Sequence, residues 1–282
     1  MTADAVPADL APNLAAMRER LCRSFPDVWD IHARDLTAAG DHLRLLYSAC
    51  CTLRLGGTTV WIDIAVPGFA AMPADGDLAA MFRGGGVFLI THGHPDHFAP
   101  RVIAAAARTP SVRFATHATH AAGPAALGVA RSRIIPVLPE GHFTVDGLAF
   151  AVTATPHVNI ADSVAYAIRG AGRCVLALGD LREYPADLAR SLPAHDIMLF
   201  NVWLGRGRAL APDPEILAAA VAFIREAAPR TVFLLHLYEL NREPADIWTY
   251  LHAGMVRKGL EAAVPGITVR TPAPNQICPV GP

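Results

Sequence analysis

The sequence of 282 residues has few cysteines, and they follow no pattern that would build a disulfide framework or a thiolate metal site. The five cysteines are odd in number, scattered and without a Cys-x-x-Cys pair: Cys22, Cys50, Cys51, Cys174 and Cys278. Small cross-linked domains and thiolate zinc sites need paired cysteines at short spacings. These thiols are therefore predicted to be buried or inert.

An excess of charge of either sign and a long apolar run are also missing. Lys+Arg 24 against Asp+Glu 25 gives a formal net charge of -1, so no overall field attracts nucleic acid or an anionic membrane. No apolar run approaches the roughly 20 residues that a transmembrane helix needs. The first residues lack the basic start and apolar stretch of a secretory signal. We expect a cytoplasmic protein that binds neither nucleic acid nor a membrane.

The chain is long enough for one large domain with an extensive core. Leu10, Leu14, Met17 and Leu21 recur at helical spacing, which predicts an amphipathic helix within an N-terminal helical extension of residues 1–40. Residues 41–282 show no internal boundary and form the predicted main domain.

Short runs rich in β-branched residues predict strands in two groups. The first group is Cys51–Leu55, Thr59–Ile64, Val87–Thr91 and Val112–Ala115, with a hairpin turn at Gly56-Gly57. The second group is Ile134–Val137, Phe143–Val145, Leu148–Ala154, Val164–Ile168, Cys174–Leu178, Ile197–Phe200 and Val232–His236. Helices are predicted at Phe98–Arg108, Pro214–Ala227 and Ala245–Ala263, and the proline-rich tail from Thr271 is predicted to be irregular.

Two groups of strands, each accompanied by helices, indicate two sheets packed face to face with helices outside. The predicted fold class is α/β, an αβ/βα sandwich of four layers. A doubly wound parallel sheet is the alternative, but it requires a helix after nearly every strand, and several connections are too short for one.

Twelve histidines are the most informative feature of the composition, because neutral imidazole is the commonest metal ligand in proteins. The densest cluster is Thr91-His92-Gly93-His94-Pro95-Asp96-His97. His92 and His94 follow a predicted strand two residues apart, so an extended backbone projects both rings to the same side. The competing interpretation, polar loop residues without a metal, is disfavoured because three histidines and an aspartate lie within six residues.

This motif resembles the His-x-His-x-Asp-His signature of the metallo-β-lactamase superfamily. Four further residues match the family's other motifs in order along the chain, each at or just after a strand: Asp63, His157, Asp180 and His236. Singly each match is weak, because an Asp or His at a strand end is more often a cap or a satisfied polar residue. Together they indicate a metal centre at one edge of the sheets.

The resemblance implies two divalent metal ions. His92, His94 and His157 would hold one, Asp96, His97 and His236 the other, and Asp180 would bridge them, while Asp63 supports the ligands from outside. Zinc is the first expectation, and manganese and iron are alternatives, because the set is rich in nitrogen, contains oxygen and has no thiolate. The implied reaction is attack of a metal-bound hydroxide on an ester, lactone, thioester or phosphoester, with Asp96 as a catalytic residue.

Residues 47–51 contain no histidine, unlike some lactonase-like branches, and residues 181–235 leave no room for the inserted domain of the nucleic-acid-processing branch. The branch therefore stays open. Two other functions remain: an iron-dependent oxygenase on the same fold, and a catalytically silent metal-binding protein. The silent protein is disfavoured because a structural zinc site needs only four ligands.

The expected partner is a small-molecule substrate, with an anionic group as one hypothesis. Arg206 and Arg208 lie in a glycine-containing loop that suits a phosphate or carboxylate, although a solvated turn is the competing interpretation. Asn159 and Tyr238 follow predicted ligands closely and are further candidates for substrate binding. The sequence does not indicate an oligomeric state.

Overall fold

The computed structural model describes residues 40–65, 75–239 and 242–280, together with Ala16 and Glu19. The predicted N-terminal helix lies almost wholly outside the described residues, so the extension of residues 1–40 stays a prediction.

The described residues form strands, α-helices and short 3-10 turns. The strands are β1 (His42–Tyr47), β2 (Cys50–Leu55), β3 (Thr58–Ile62), β4 (Gly86–Ile90), β5 (Val112–His117), β6 (Ile134–Val137), β7 (His142–Val145), β8 (Leu148–Ala154), β9 (Val164–Gly170), β10 (Arg173–Ala177), β11 (Ile197–Asn201), β12 (Thr231–Leu235), β13 (Thr268–Arg270) and β14 (Ile277–Pro279). The α-helices are α1 (Asp75–Ala80), α2 (Pro100–Ala107), α3 (Ala122–Ala126), α4 (Ala186–Ser191), α5 (Pro214–Ala227) and α6 (Tyr250–Ala263). No helix in these ranges is long and apolar enough to cross a membrane.

The strands form two mixed sheets of seven strands each. The first has the order β14-β1-β2-β3-β4-β5-β6 and is parallel from β3 to β6. The second has the order β13-β12-β11-β10-β9-β8-β7 and is parallel from β13 to β10. Each sheet is therefore half parallel and half antiparallel, and the predicted sandwich architecture is confirmed.

Alternation along the strands divides the core into three layers. In β4, Val87 and Leu89 pack in the cluster between the two sheets, whereas Phe88 and Ile90 pack in the cluster beneath α2. Successive side chains of a strand point to opposite faces, so a strand in the middle of this sandwich is apolar on both sides. A third cluster joins the outer face of the second sheet to α5 and α6.

The predicted bounds of β6, β8 and α5 are confirmed, and so is the Asp213 cap, whose carboxylate accepts from the Glu215 backbone N–H at 2.9 Å. The hairpin at Gly56-Gly57 is also confirmed. Both glycines have positive φ, 57° and 85°, a conformation that glycine adopts without strain and that matches the twist of a two-residue hairpin.

Two expectations about the C-terminal part are wrong. The tail is not wholly irregular, because β14 pairs with β1 at the sheet edge, where His42 stands opposite Pro279. Proline is tolerated there because an edge strand has a side that needs no donor. The last helix begins at Tyr250 rather than Ala245, because Thr249 and the His252 ring cap its first turn.

His252 gives a prediction about stability. Its Nδ1 accepts from the Thr249 backbone N–H at 2.9 Å, and its Nε2 donates to the Ala209 carbonyl at 2.8 Å. His252→Ala leaves both buried partners unsatisfied and is expected to cost about 2–4 kcal/mol of unfolding free energy. His142→Ala, at an exposed position, is the control and should change it by less than about 0.5 kcal/mol. Equal effects of the two changes in urea titrations would contradict the role of His252.

The same residue predicts a pH dependence. Burial lowers the pKa of His252 below its ordinary value of 6.5, because the buried ring resists a second proton. The stabilisation is therefore complete above the unfolded-state pKa and is lost as the pH falls through the lower folded-state pKa. The difference in urea midpoint between wild type and His252→Ala should therefore become smaller as the pH is lowered from 7 into the acidic range.

Candidate metal centre

Five strand ends meet at one edge of the sandwich and present polar side chains there. Asp63 follows β3, the cluster His92–His97 follows β4, His157 follows β8, Asp180 follows β10, and His236 follows β12. The Tyr166 hydroxyl of β9 donates to the Ile90 carbonyl at 3.0 Å, and the His236 backbone N–H donates to the Ser48 carbonyl at 2.9 Å. These bonds tie the two sheets together where the site is built.

The backbone turns sharply at two of these strand ends. Asp63 and His236 have positive φ values of 51° and 63°. A residue other than glycine rarely adopts this region, and such conformations concentrate at functional sites.

The first ligand cluster consists of His92, His94 and His157. One ligand atom from each lies within 4.8 Å of the others, and the ring centroids are 4.7 to 4.9 Å apart. His157 Nδ1 donates to the Val158 carbonyl at 2.7 Å, and its buried Nε2 has no hydrogen-bond partner among the described residues. Burial lowers the pKa of all three rings, which favours the neutral form that binds metals.

The second ligand cluster consists of Asp96, His97, Asp180 and His236, again with one atom from each within 4.8 Å of the others. His97 Nε2 lies 3.4 Å from Asp96 Oδ2 and 3.5 Å from Asp180 Oδ1. The two clusters adjoin, since the ring centroids of His92 and His97 are 4.0 Å apart. The structure thus brings together all seven residues that the sequence predicts as ligands.

Asp63 orients His97 from outside the second cluster. Its Oδ2 accepts from His97 Nδ1 at 2.8 Å, and its Oδ1 accepts from the Thr91 backbone N–H at 2.8 Å. His97 Nε2 is therefore the ring nitrogen turned towards the cluster, where it is buried without a hydrogen-bond partner in the described part of the chain. A buried imidazole nitrogen needs a partner, so these residues fit a bound cation.

Electrostatics in the second cluster favour positive charge. Burial alone would lower the pKa of His97, but Asp96, Asp63 and Asp180 outweigh it and hold that pKa well above the usual range. At His236 burial is likewise outweighed, by Asp180 and by hydrogen bonds to Asp96 and Glu239, and the pKa rises to about 9. Without a cation the two rings hold protons among carboxylates, and a divalent ion would take the place of those protons.

Replacing Asp63 tests whether its hydrogen bond to His97 supports metal binding. Asp63→Ala removes the acceptor of His97 Nδ1–H, so the ring loses its fixed tautomer and orientation. We expect metal affinity to fall by roughly ten- to a hundredfold, the usual effect of losing such a partner, as measured by competition with a chromogenic chelator. Asp213→Ala, which removes a helix cap outside the centre, is the matched control. An unchanged metal titration in Asp63→Ala would show that Asp63 serves only the Thr91 turn.

Three residues that donate hydrogen bonds to the ligand carboxylates were not predicted: Arg182, Asn201 and Arg242. Arg182 Nη2 donates to Asp180 Oδ2 at 2.5 Å, and Asn201 Nδ2 donates to Asp180 Oδ1 at 2.9 Å. Arg242 Nη2 donates to Asp96 Oδ2 at 3.2 Å and also pairs with Glu239. Because a carboxylate has about four lone-pair sites, Asp180 and Asp96 can accept these bonds and still bind a cation.

A cavity of about 250 Å³ opens beside the first cluster. Its lining residues are His94, His157, Val158, Asn159, Arg182, Trp203, Arg206, Arg242 and Asp246. Of the residues predicted to bind substrate, Asn159 and Arg206 belong to this lining, whereas Arg208 and Tyr238 do not. The Tyr238 hydroxyl accepts from the Tyr250 backbone N–H at 3.3 Å, and its ring packs on Tyr250. The binding roles of all four residues stay predictions.

The sequence of this region matches a known family. The model of the beta-lactamase superfamily domain covers residues 60–237, more than half of the chain and all of both ligand clusters. The chain belongs to the β-lactamase superfamily. The family resemblance inferred from the His-x-His-x-Asp-His motif is thereby confirmed, whereas no curated protein matches the sequence.

Several solved structures of other proteins share the fold. Igni18, a metallo hydrolase from Ignicoccus hospitalis, is 18% identical with a TM-score of 0.65, over 84% of this chain and 97% of its own. CmlA, a diiron β-hydroxylase from Streptomyces venezuelae, is 15% identical with a TM-score of 0.66, over 86% of this chain and 55% of its own. An isothiocyanate hydrolase from Delia radicum gut bacteria is 19% identical with a TM-score of 0.59, over 84% of this chain and 98% of its own. At these identities the likeness concerns the fold.

Proposed function

We propose that the protein is a dinuclear metal-dependent hydrolase of small esters, lactones, thioesters or phosphoesters. The observation that supports this most is the pair of adjoining ligand clusters, each with a buried imidazole nitrogen that lacks a hydrogen-bond partner in the described residues, beside an open cavity. His92, His94 and His157 would hold one ion and Asp96, His97 and His236 the other, and Asp180 would contribute to both. Zinc is the proposed metal, with manganese and iron as alternatives.

Two divalent cations, when bound, supply Lewis acidity and lower the pKa of water, so that hydroxide becomes available as a nucleophile at neutral pH. Asp96 is the proposed catalytic residue among the chain's own groups. Its carboxylate is 16% exposed, whereas that of Asp180 is fully buried, so Asp96 can accept a hydrogen bond from the attacking water and orient it. Arg182 and Arg242 bond to the two carboxylates and also line the cavity. Their guanidinium groups stabilise the negative charge that develops on the substrate oxygen.

The reaction class is tested on purified protein stripped of metal and reloaded separately with zinc, manganese or iron(II). Each form is assayed against esters, lactones, thioesters and phosphodiesters, and metal content is measured by mass spectrometry. We expect hydrolysis of at least one class in a form with close to two ions per chain. Loaded protein that hydrolyses none of the four classes would contradict the hydrolase proposal, and if the iron form also consumes no oxygen, the silent metal-binding alternative would remain.

An iron-dependent oxygenase is the second candidate, because the described clusters contain imidazole and carboxylate groups and no thiolate, a set that also suits iron. A diiron β-hydroxylase shares the fold, which supports testing this reaction class. The iron-loaded form is therefore also placed in an oxygen electrode with a reductant. Oxygen consumption above that of the zinc form, together with absent hydrolysis, would favour the oxygenase.

A further inference from the structure

The cavity beside the metal centre contains three guanidinium groups, and they differ in their partners. Arg182 donates to Asp180, and Arg242 donates to Asp96 and Glu239. Arg206 is exposed and makes neither an ion pair nor a side-chain hydrogen bond with the residues that the structure describes. It is therefore the guanidinium that a ligand can bind without breaking an existing bond to a carboxylate.

A fixed turn presents Arg206 to the cavity. The Arg208 backbone N–H donates to the Gly205 carbonyl at 3.1 Å, and Gly207 has a φ of +67°. A positive φ at the third position of a four-residue turn favours glycine, and with Gly207 there Arg206 occupies the second position. The Gly207 backbone N–H donates to the Asp246 carboxylate, so this carboxylate of the cavity wall is engaged in holding the turn.

Arg208 is the last residue of the same turn. Gly205 has a φ of +107°, and a Cβ atom placed on it would come within 3.0 Å of Arg208 Cγ. The Arg208 stem therefore packs against Gly205, and Arg208 is not among the residues that line the cavity. Two arginines that look equivalent in the sequence thus differ in access to the site.

The remaining lining indicates what Arg206 would bind. Val158 and Trp203 supply apolar surface, and the Trp203 ring lies 5.4 Å from the Arg182 guanidinium carbon. One unpaired guanidinium matches a single negative charge, and its planar fork suits the two oxygens of a carboxylate. A phosphate dianion is less well matched, because the other two arginines already pair with carboxylates.

We infer that the substrate of the proposed hydrolase carries a carboxylate, which Arg206 binds while the scissile ester lies against His94 and His157. The ester part of this inference rests on the proposed function, whereas the carboxylate part rests on the residues that line the cavity. Arg206 is then a specificity residue, and Arg208 makes no contribution to substrate choice.

The test compares two acetyl esters of the same shape, 4-acetoxybenzoate and the neutral 4-acetoxybenzamide, on metal-loaded protein. Wild type is expected to prefer the charged ester in kcat/KM. Arg206→Ala should lower kcat/KM for the charged ester about 10- to 100-fold, the usual worth of a charge-assisted hydrogen bond, and leave the neutral ester within about twofold. Arg208→Ala, the matched control, should leave both values unchanged. Equal losses on the two esters, or equal effects of the two arginine changes, would overturn the inference.

Calorimetry with 4-hydroxybenzoate and 4-hydroxybenzamide separates this inference from the proposed function, because it requires no turnover. If the acid binds more weakly to Arg206→Ala but not to Arg208→Ala, the carboxylate site is supported even when neither ester is hydrolysed. In that case only the hydrolase proposal fails for these esters. Equal affinity of wild type for the acid and the amide would overturn the carboxylate site, whatever the rates of hydrolysis.

Discussion

His94→Ala is expected to lower the metal content from two ions per chain to about one and to reduce hydrolysis by about 10³-fold or more. His94 is one of three imidazoles in the first cluster, and its removal leaves only His92 and His157 there. With Asp180, which is proposed to ligate both ions, the first ion would keep three protein ligands, one fewer than in the wild type, and would be held more weakly. His94 is half-buried and lines the cavity, so the change should leave the fold intact.

The control for this prediction is His195→Ala. His195 is partly buried and lies two positions before β11, and the strand ends that build the metal centre lie at the opposite edge of that sheet. This variant should keep both ions and the wild-type rate, as measured by mass spectrometry of metals and by ester hydrolysis. Chelation of the wild type should abolish hydrolysis, and added metal should restore it. Full activity in protein shown to be free of metal would contradict the whole assignment.

The sequence predicted the ligands well because their signal is local. The cluster at His92–His97 places four ligands, three histidines and an aspartate, within six residues. Asp63, His157, Asp180 and His236 each lie at or just after the end of a predicted strand. Strands of this length are set by alternation and by β-branched residues, and residues at strand ends meet at a sheet edge. The positions of the ligands could therefore be predicted from the strand pattern without knowing the loop conformations.

The supporting residues could not be predicted in the same way, because long-range contacts place them. Arg242 and Asp96 are 146 positions apart in sequence, and no motif connects them. Arg182 lies two positions after Asp180, which is a spacing that many unrelated arginines share. Arg206 and Arg208 differ only through the conformation of one turn, so composition alone could not distinguish them.

The sheet edge was missed for a different reason. β14 is a three-residue strand that includes Pro279, and it pairs with β1, for which no strand was predicted. A short segment containing proline has little strand propensity. Its pairing depends on an exposed edge whose existence follows only from the assembled sheet.

Asp180→Asn is expected to have the second large effect, because Asp180 is the residue proposed to bridge the two ions. Its carboxylate is fully buried, with Oδ1 accepting from Asn201 and Oδ2 accepting from Arg182. The asparagine amide has the same shape but no negative charge. In either orientation its NH2 group faces Asn201 or Arg182, both of which are donors, so one of the two hydrogen bonds is lost. Neither orientation restores both bonds.

We expect Asp180→Asn to bind at most one ion per chain, with kcat/KM reduced by about 10³-fold or more. Metal-free protein should also lose about 3 kcal/mol of unfolding free energy, because the Arg182 guanidinium loses its charged partner in a largely buried position. Asp196→Asn is the matched control, since its carboxylate accepts from the Cys174 backbone N–H at 3.0 Å outside the ligand clusters. It should bind two ions and hydrolyse ester at the wild-type rate. If Asp180→Asn retained two ions and lost only stability, Asp180 would be a structural partner of Arg182 and not a ligand.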